Sequence, residues 1–165
     1  MRFLNLKYLI FLSLVVSCAQ AEVPNTTIKF IAPEKFTDFK TKAGIGAKDR
    51  RKLMTELKGL IVQAIDDNMP KDVKFQFAIH NIDMAGGFLR GHNDMFRVIH
   101  DTDRTSLHFT YLISDSEGKA LRKDTVYLTS RNPRLLKRMA RKYSRTYFPT
   151  EMALFEKWLM KLDFG

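Results

Sequence analysis

The chain has 165 residues, with 28 Lys and Arg against 18 Asp and Glu, a formal net charge of +10, and a single cysteine, Cys18. One thiol excludes a disulfide-stapled scaffold. The length suits one domain, since a chain of about 150 residues buries about 68–70% of its unfolded surface.

Residues 1–21 read as an export signal. Arg2 and Lys7 form a positive start, Tyr8 to Val16 an apolar run, and Ala19-Gln20-Ala21 a small-residue exit. The run is too short to remain in a bilayer as a spanning helix. Two cleavage products are compatible with these residues. Cleavage between Ala21 and Glu22 releases a thiol-free protein into the periplasm. Val15-Val16-Ser17-Cys18 also fits a bacterial lipobox, and cleavage before Cys18 leaves a lipoprotein held to a membrane by acyl chains. Without Arg2 and Lys7 the basic count is 26 against 18 acids, a net charge of +8. A basic exported protein meets anionic lipid, lipopolysaccharide phosphates or an acidic envelope protein, and no nucleic acid is expected.

Residues 22–165 carry no repeat and no low-complexity linker. Thr27 to Ile31 is a β-branched and aromatic stretch that stops at Pro33, as a strand does, and Pro33 to Gly46 reads as a loop. From Lys48 to Asn68, Leu53, Leu57, Leu60, Ile61, Ala64 and Ile65 recur at helical spacing, which predicts an amphipathic helix ended by Asn68 and Pro70. Val73 to Met84 changes to period two, with Val73, Phe75, Phe77 and Ile79 on one parity. Ile82 and Met84 take the other parity, which predicts a bulge near Asn81. Gly86 to Asn93 reads as a glycine-rich loop, and Asp94 to His100 and Ser106 to Ser114 as strands. Turn chemistry at Asp115-Ser116-Glu117-Gly118 then predicts a hairpin with Lys119 to Ser130. Two helices follow, Pro133 to Ser144 and Glu151 to Leu162, the second with Thr150 as its cap.

This order of elements predicts an α+β two-layer sandwich, an antiparallel or mixed sheet of about five strands with helices on one face.

Several short segments together resemble a known family. They are Thr27-Ile28-Lys29-Phe30, Pro33-Glu34-Lys35-Phe36-Thr37-Asp38, Ile82-Asp83-Met84-Ala85-Gly86, Arg97-Val98-Ile99, Tyr111 followed by Asp115 and Gly118, and Glu156-Lys157-Trp158 in the closing helix. The chain is similar over nearly all of its mature length to the uncharacterised proteobacterial family called domain of unknown function 3016. The resemblance implies an exported single-domain protein, singles out Lys35, Phe36, Thr37, Asp38, Asp83 and Gly86, and supplies no catalytic residue. Asp101-Thr102-Asp103-Arg104 and the basic stretch after Ser130 depart from the family's usual pattern.

The search for catalytic motifs is negative. His80, His92, His100 and His108 show no helical ligand spacing, and ordinary strand and loop histidines are the simpler reading, with no metal or other cofactor expected. His80 and His108 face each other only if their strands pair, a register the residues alone do not fix. Gly86-Gly87-Phe88-Leu89-Arg90-Gly91 has the glycine spacing of a phosphate loop but lacks the following Lys and Ser or Thr. No serine occupies a Gly-x-Ser-x-Gly elbow. Asp101 with Asp103 and Asp115 with Glu117 sit in turns, where carboxylates serve the backbone.

The positive signal is charge. Between Asp124 and Glu151 no acid occurs, while Arg131, Arg134, Lys137, Arg138, Arg141, Lys142 and Arg145 supply seven cations interleaved with Leu135, Leu136, Met139, Tyr143 and Tyr147. On one helix Arg134, Lys137, Arg138, Arg141 and Arg145 share a broad face, suited to an anionic surface. Two classes of function are compatible with the whole. One is a non-catalytic envelope protein that binds an anionic surface or partner through this segment. The other is a small periplasmic hydrolase or metal-dependent enzyme whose residues, such as Asp83, His100 and His108, gather only in three dimensions.

Overall fold

The computed structural model describes residues 25–41, 46–90, 95–100, 102–130 and 136–162. The export segment, with Cys18, Ala21 and Glu22, lies outside the described residues. So do His92 and Asp101, and Arg131 and Arg134 of the basic stretch.

The chain runs β1 (Thr26–Phe30), α1 (Ala47–Asn68), β2 (Lys74–Asp83), β3 (Gly87–Arg90), β4 (Met95–Val98), β5 (Thr105–Ser114), β6 (Ala120–Ser130), α2 (Lys137–Ala140) and α3 (Pro149–Leu159). The main sheet has the order β1-β2-β5-β6. β1 lies parallel to β2, and the other neighbours are antiparallel, so the sheet is mixed. Parallel neighbours need a long crossover, which α1 provides. The architecture is α+β.

Period-two alternation explains which face is covered. Ile28, Phe77 and Tyr111 share one cross-strand row, and Phe30, Ile79 and Phe109 the next. These side chains form a core with Leu53, Leu57 and Ile61 of α1 and Met152, Phe155 and Leu159 of α3. Phe77 is its aromatic centre, with ring centroids 5.7 Å from Phe109, 5.8 Å from Phe155 and 6.3 Å from Trp158. The opposite face carries Lys29, Gln76, Ala78, Thr110, Lys123 and Tyr127, whose side chains are half-buried or exposed. The sheet is thus covered by helices on one side and, among the described residues, open on the other.

Three expectations need correction. Gly87–Arg90 is not loop but strand β3, which pairs with β4 in a separate two-stranded ribbon, so among the described residues there are six strands, four of them in the main sheet. Gly86 makes that ribbon possible: it adopts φ +79°, and a Cβ there would stand 2.0 Å from the Val98 carbonyl oxygen. The helix expected from Pro133 to Ser144 is, among the described residues, the single turn of α2 followed by a 3-10 turn, Arg141–Tyr143. Leu136 packs on Ala153 and Leu154 while Tyr143 and Phe148 enter the main core, so the chain must turn between two anchors. Ser144 N–H donates to the Arg141 carbonyl and Thr146 N–H to that of Tyr143, the tight pattern that replaces a continuing α-helix. Finally, Thr150 does not cap α3. The cap position is Phe148, with Pro149 next, and Thr150 lies inside the first turn.

The bulge falls where alternation breaks, between Ile79 and Asn81. The hairpin at Asp115 also forms: Gly118, at φ +89°, donates its N–H to the Asp115 carbonyl, and Asp115 N–H donates to the Lys119 carbonyl.

Candidate functional site

Polar chemistry concentrates at one end of the sheet, where β2 and β5 meet the first turn of α3. Glu151 is fully buried there, and Arg97 of β4 holds it with Nη2 2.8 Å from Oε1. The same oxygen accepts from Ala85 N–H at 3.0 Å, Thr105 Oγ1 at 2.9 Å and Thr150 Oγ1 at 3.1 Å. The guanidinium is equally occupied: Nε donates to the Ala85 carbonyl at 2.6 Å, and Nη1 donates to the Tyr147 carbonyl and to Glu151 Oε2. The first turn of a helix favours a carboxylate, because its free N–H groups carry partial positive charge. This cluster is saturated. It ties β2, β4, β5 and α3 together and leaves no free acid or base for chemistry.

Of the residues singled out by resemblance, Asp83 lies beside it. Phe36 is buried and stacks edge-on with Phe39 at 5.4 Å, which docks the Pro33–Lys35 turn on the core. Lys35 itself is exposed at the end of that turn. Thr37 N–H donates to Asn81 Oδ1 at 3.0 Å, and Asn81 Nδ2 returns a bond to Thr37 Oγ1 at 3.2 Å. Asp38, at φ 50°, pairs with Lys40 at 2.8 Å. Asp83 lies close enough to feel Asp38 and Glu151: burial first, then these two negative neighbours, raises its carboxyl above the usual range. Thr37 and Asp38 thus meet the end of β2 near Asp83, while Gly86 lies against Val98 at the ribbon.

The enzyme-like trio is only partly assembled. Asn81 pairs with His108 and Asp83 with Ser106, so Asp83 and His108 stand one cross-strand row apart. His100 lies beyond β4, exposed, with its N–H bonded to the Asp103 carboxylate. Among the described residues no group of three or more His, Cys, Asp or Glu could hold a metal.

The basic stretch divides into two kinds of cation. Lys137 opens α2. Lys142 is engaged: its Nζ lies 2.8 Å from Glu156 Oε1 and 3.4 Å from Asp67 Oδ2. The Glu156 hydrogen bond raises the affinity of this ammonium for its proton, so it is a structural cation. Arg138, Arg141 and Arg145 are exposed, and their side chains have no ion-pair partner among the described residues.

Residue patterns missed the Arg97–Glu151 pair. The available signal was a lone arginine within the apolar run Met95-Phe96-Arg97-Val98-Ile99, which must find an acid if the run is buried.

The open face of the sheet holds a shallow groove of about 240 Å³ lined by Thr27, Lys29, Gln76, Ala78, Thr110 and Lys123 among others. No helix among the described residues is long and apolar enough to cross a membrane.

Among curated proteins, none matches the chain. Among solved structures, a minor lipoprotein from Acinetobacter baumannii is similar at 11% identity, over 82% of this chain and 91% of that one, with a TM-score of 0.28. Residues 24–161 match the family described as Protein of unknown function (DUF3016), and the chain belongs to that family.

Proposed function

We propose that this protein is an exported, non-catalytic component of the bacterial envelope that docks on an anionic, phosphate-bearing lipid surface through the basic segment after β6. It works in the periplasm, free after cleavage before Glu22 or tethered through an acylated Cys18. One observation carries the reading: Arg138, Arg141 and Arg145 are exposed and unmatched by acids among the described residues, on a segment that Lys142 fastens to α1 and α3. Exposed guanidinium groups suit phosphate, because each presents a planar fork of donors.

The test is co-sedimentation with vesicles of phosphatidylglycerol and phosphatidylcholine over a salt series. Binding to the anionic vesicles is expected, falling steeply as salt rises. Replacing all three arginines by glutamine removes about 1 kcal/mol each, so affinity drops about a hundredfold. Equal binding to purely zwitterionic vesicles, or an unaltered triple variant, overturns the reading. The intact mass of the native protein decides between Glu22 and acylated Cys18 as its first residue.

A further inference from the structure

The open face of the sheet carries a pair of imidazoles that the docking surface does not use. His80 is the residue at which the β2–β5 register slips, and the slip turns its ring toward His108 on the neighbouring strand. The ring centroids are 5.1 Å apart with planes inclined at 41°. Both residues are half-buried. Tyr127 of β6, directly opposite His108, closes the other side with its ring 5.8 Å away. His80 Nε2 is hydrogen-bonded to Thr110 Oγ1, the next outward-facing residue along β5.

We propose that His80 and His108 form a two-imidazole site for one divalent first-row transition-metal ion, with Cu(II) or Zn(II) as the fitting species. A metal at about 2.0–2.1 Å from each nitrogen lies about 3.2 Å from each ring centre, so two rings on one metal sit about 4.5 Å apart at the right angle that tetragonal Cu(II) prefers and about 5.2 Å apart at the tetrahedral angle of Zn(II). The observed separation is 5.1 Å. The Thr110 bond has the form of the outer hydrogen bond found around metal-binding histidines. With Nε2–H donating to the hydroxyl, the ring is fixed and the Nδ1 lone pair is left for the ion. Two protein donors leave the remaining coordination positions to water or a small ligand, which makes this an open site rather than a closed structural one. Imidazole donors favour Cu(II) over Zn(II) in affinity.

The experiment uses the untagged chain, because a polyhistidine tag would mask the site. Equilibrium dialysis against copper sulfate, and separately zinc chloride, gives stoichiometry and affinity, and electron paramagnetic resonance of the Cu(II) form counts coordinated nitrogens. One Cu(II) per chain with two imidazole nitrogens is expected. His80→Ala and His108→Ala should each weaken binding at least tenfold. His100→Ala, remote from the pair, should leave it unchanged. Thr110→Val, which keeps the shape but removes the ring's partner, should weaken it about tenfold, the scale typical of outer-shell partners. Circular dichroism checks that each variant is folded. The proposal is overturned if the folded His80 and His108 variants bind Cu(II) as the parent does, or if the parent shows no nitrogen coupling. Neither result depends on lipid binding, so this site and the basic segment stand or fall separately.

Discussion

Arg97 and Glu151, 54 residues apart in the chain, meet as an ion pair whose side chains are 9% and 0% exposed. A pair so buried is weak evidence of net stabilisation, but breaking it is costly, because the survivor remains charged and unmatched. Glu151→Ala strands the guanidinium together with Ala85 N–H, and the expected loss is about 3–5 kcal/mol in urea unfolding. Replacing both partners by leucine should cost less than either single replacement. A double variant at least as damaged as the worse single would sink this account.

Two glycines at positive φ separate steric from conformational cost. At Gly86 an added Cβ meets backbone, the Val98 carbonyl at 2.0 Å, which cannot swing aside; at Gly118 nothing lies within 4 Å. Gly118→Ala should therefore cost about 1 kcal/mol, the strain of a non-glycine residue in that region. Gly86→Ala should exceed about 3 kcal/mol and loosen the β3–β4 ribbon. Thermal unfolding of the two variants side by side checks the contrast.

How far the residues announced this arrangement depends on whether a signal is local. Phe75, Phe77 and Ile79 alternate along one strand, and Leu53, Leu57 and Ile61 recur along one helix, so β2 and α1 were legible from spacing alone. Even the bulge showed itself, since Ile82 changes parity relative to Ile79. β3 did not, because Gly86 before it, Gly87 at its start and Gly91 after it are turn residues, and its partner strand is supplied by tertiary pairing. Leu135, Leu136 and Met139 suggested a long amphipathic helix, yet core anchors at Leu136 and Tyr143 hold residues 136–143 to short turns. The approach of Asp38 to Asp83 and the His80–His108 contact both needed the tertiary arrangement, which spacing along the chain does not carry.

Asp83 gives a pH dependence whose sign is fixed. Burial, Asp38 and Glu151 raise its carboxyl in the folded state, so the folded protein holds that proton more tightly than the unfolded chain. Stability contributed by this group therefore falls as pH rises from the ordinary carboxylate range through the raised value, and stays low above it. Asp83→Asn removes the penalty. The variant should be more stable than the parent at pH 7, and the gap should close as pH falls below about 4, where both forms are neutral. Urea midpoints measured from pH 3 to 8 test this, and a variant less stable than the parent at pH 7 would contradict it.

Lys142 and its arginine neighbours should respond oppositely to substitution. Lys142 Nζ neutralises Glu156, whose side chain is 6% exposed, while Asp67 on the far side is 47% exposed. Lys142→Ala leaves that nearly buried carboxylate unmatched, and a loss of about 1–3 kcal/mol follows. The Asp67 contact, at 3.4 Å and in solvent, adds little, so Asp67→Asn should change stability by less than about 0.5 kcal/mol. Arg138, Arg141 and Arg145 touch no acid among the described residues, and removing them should stay within about 0.5 kcal/mol. Vesicle affinity should show the reverse ranking, with the arginines dominant once Lys142→Ala is compared at a temperature where it is folded. If Lys142→Ala left stability untouched but removed vesicle binding, Lys142 would be a surface cation, and the division of the segment into anchor and contact residues would fail.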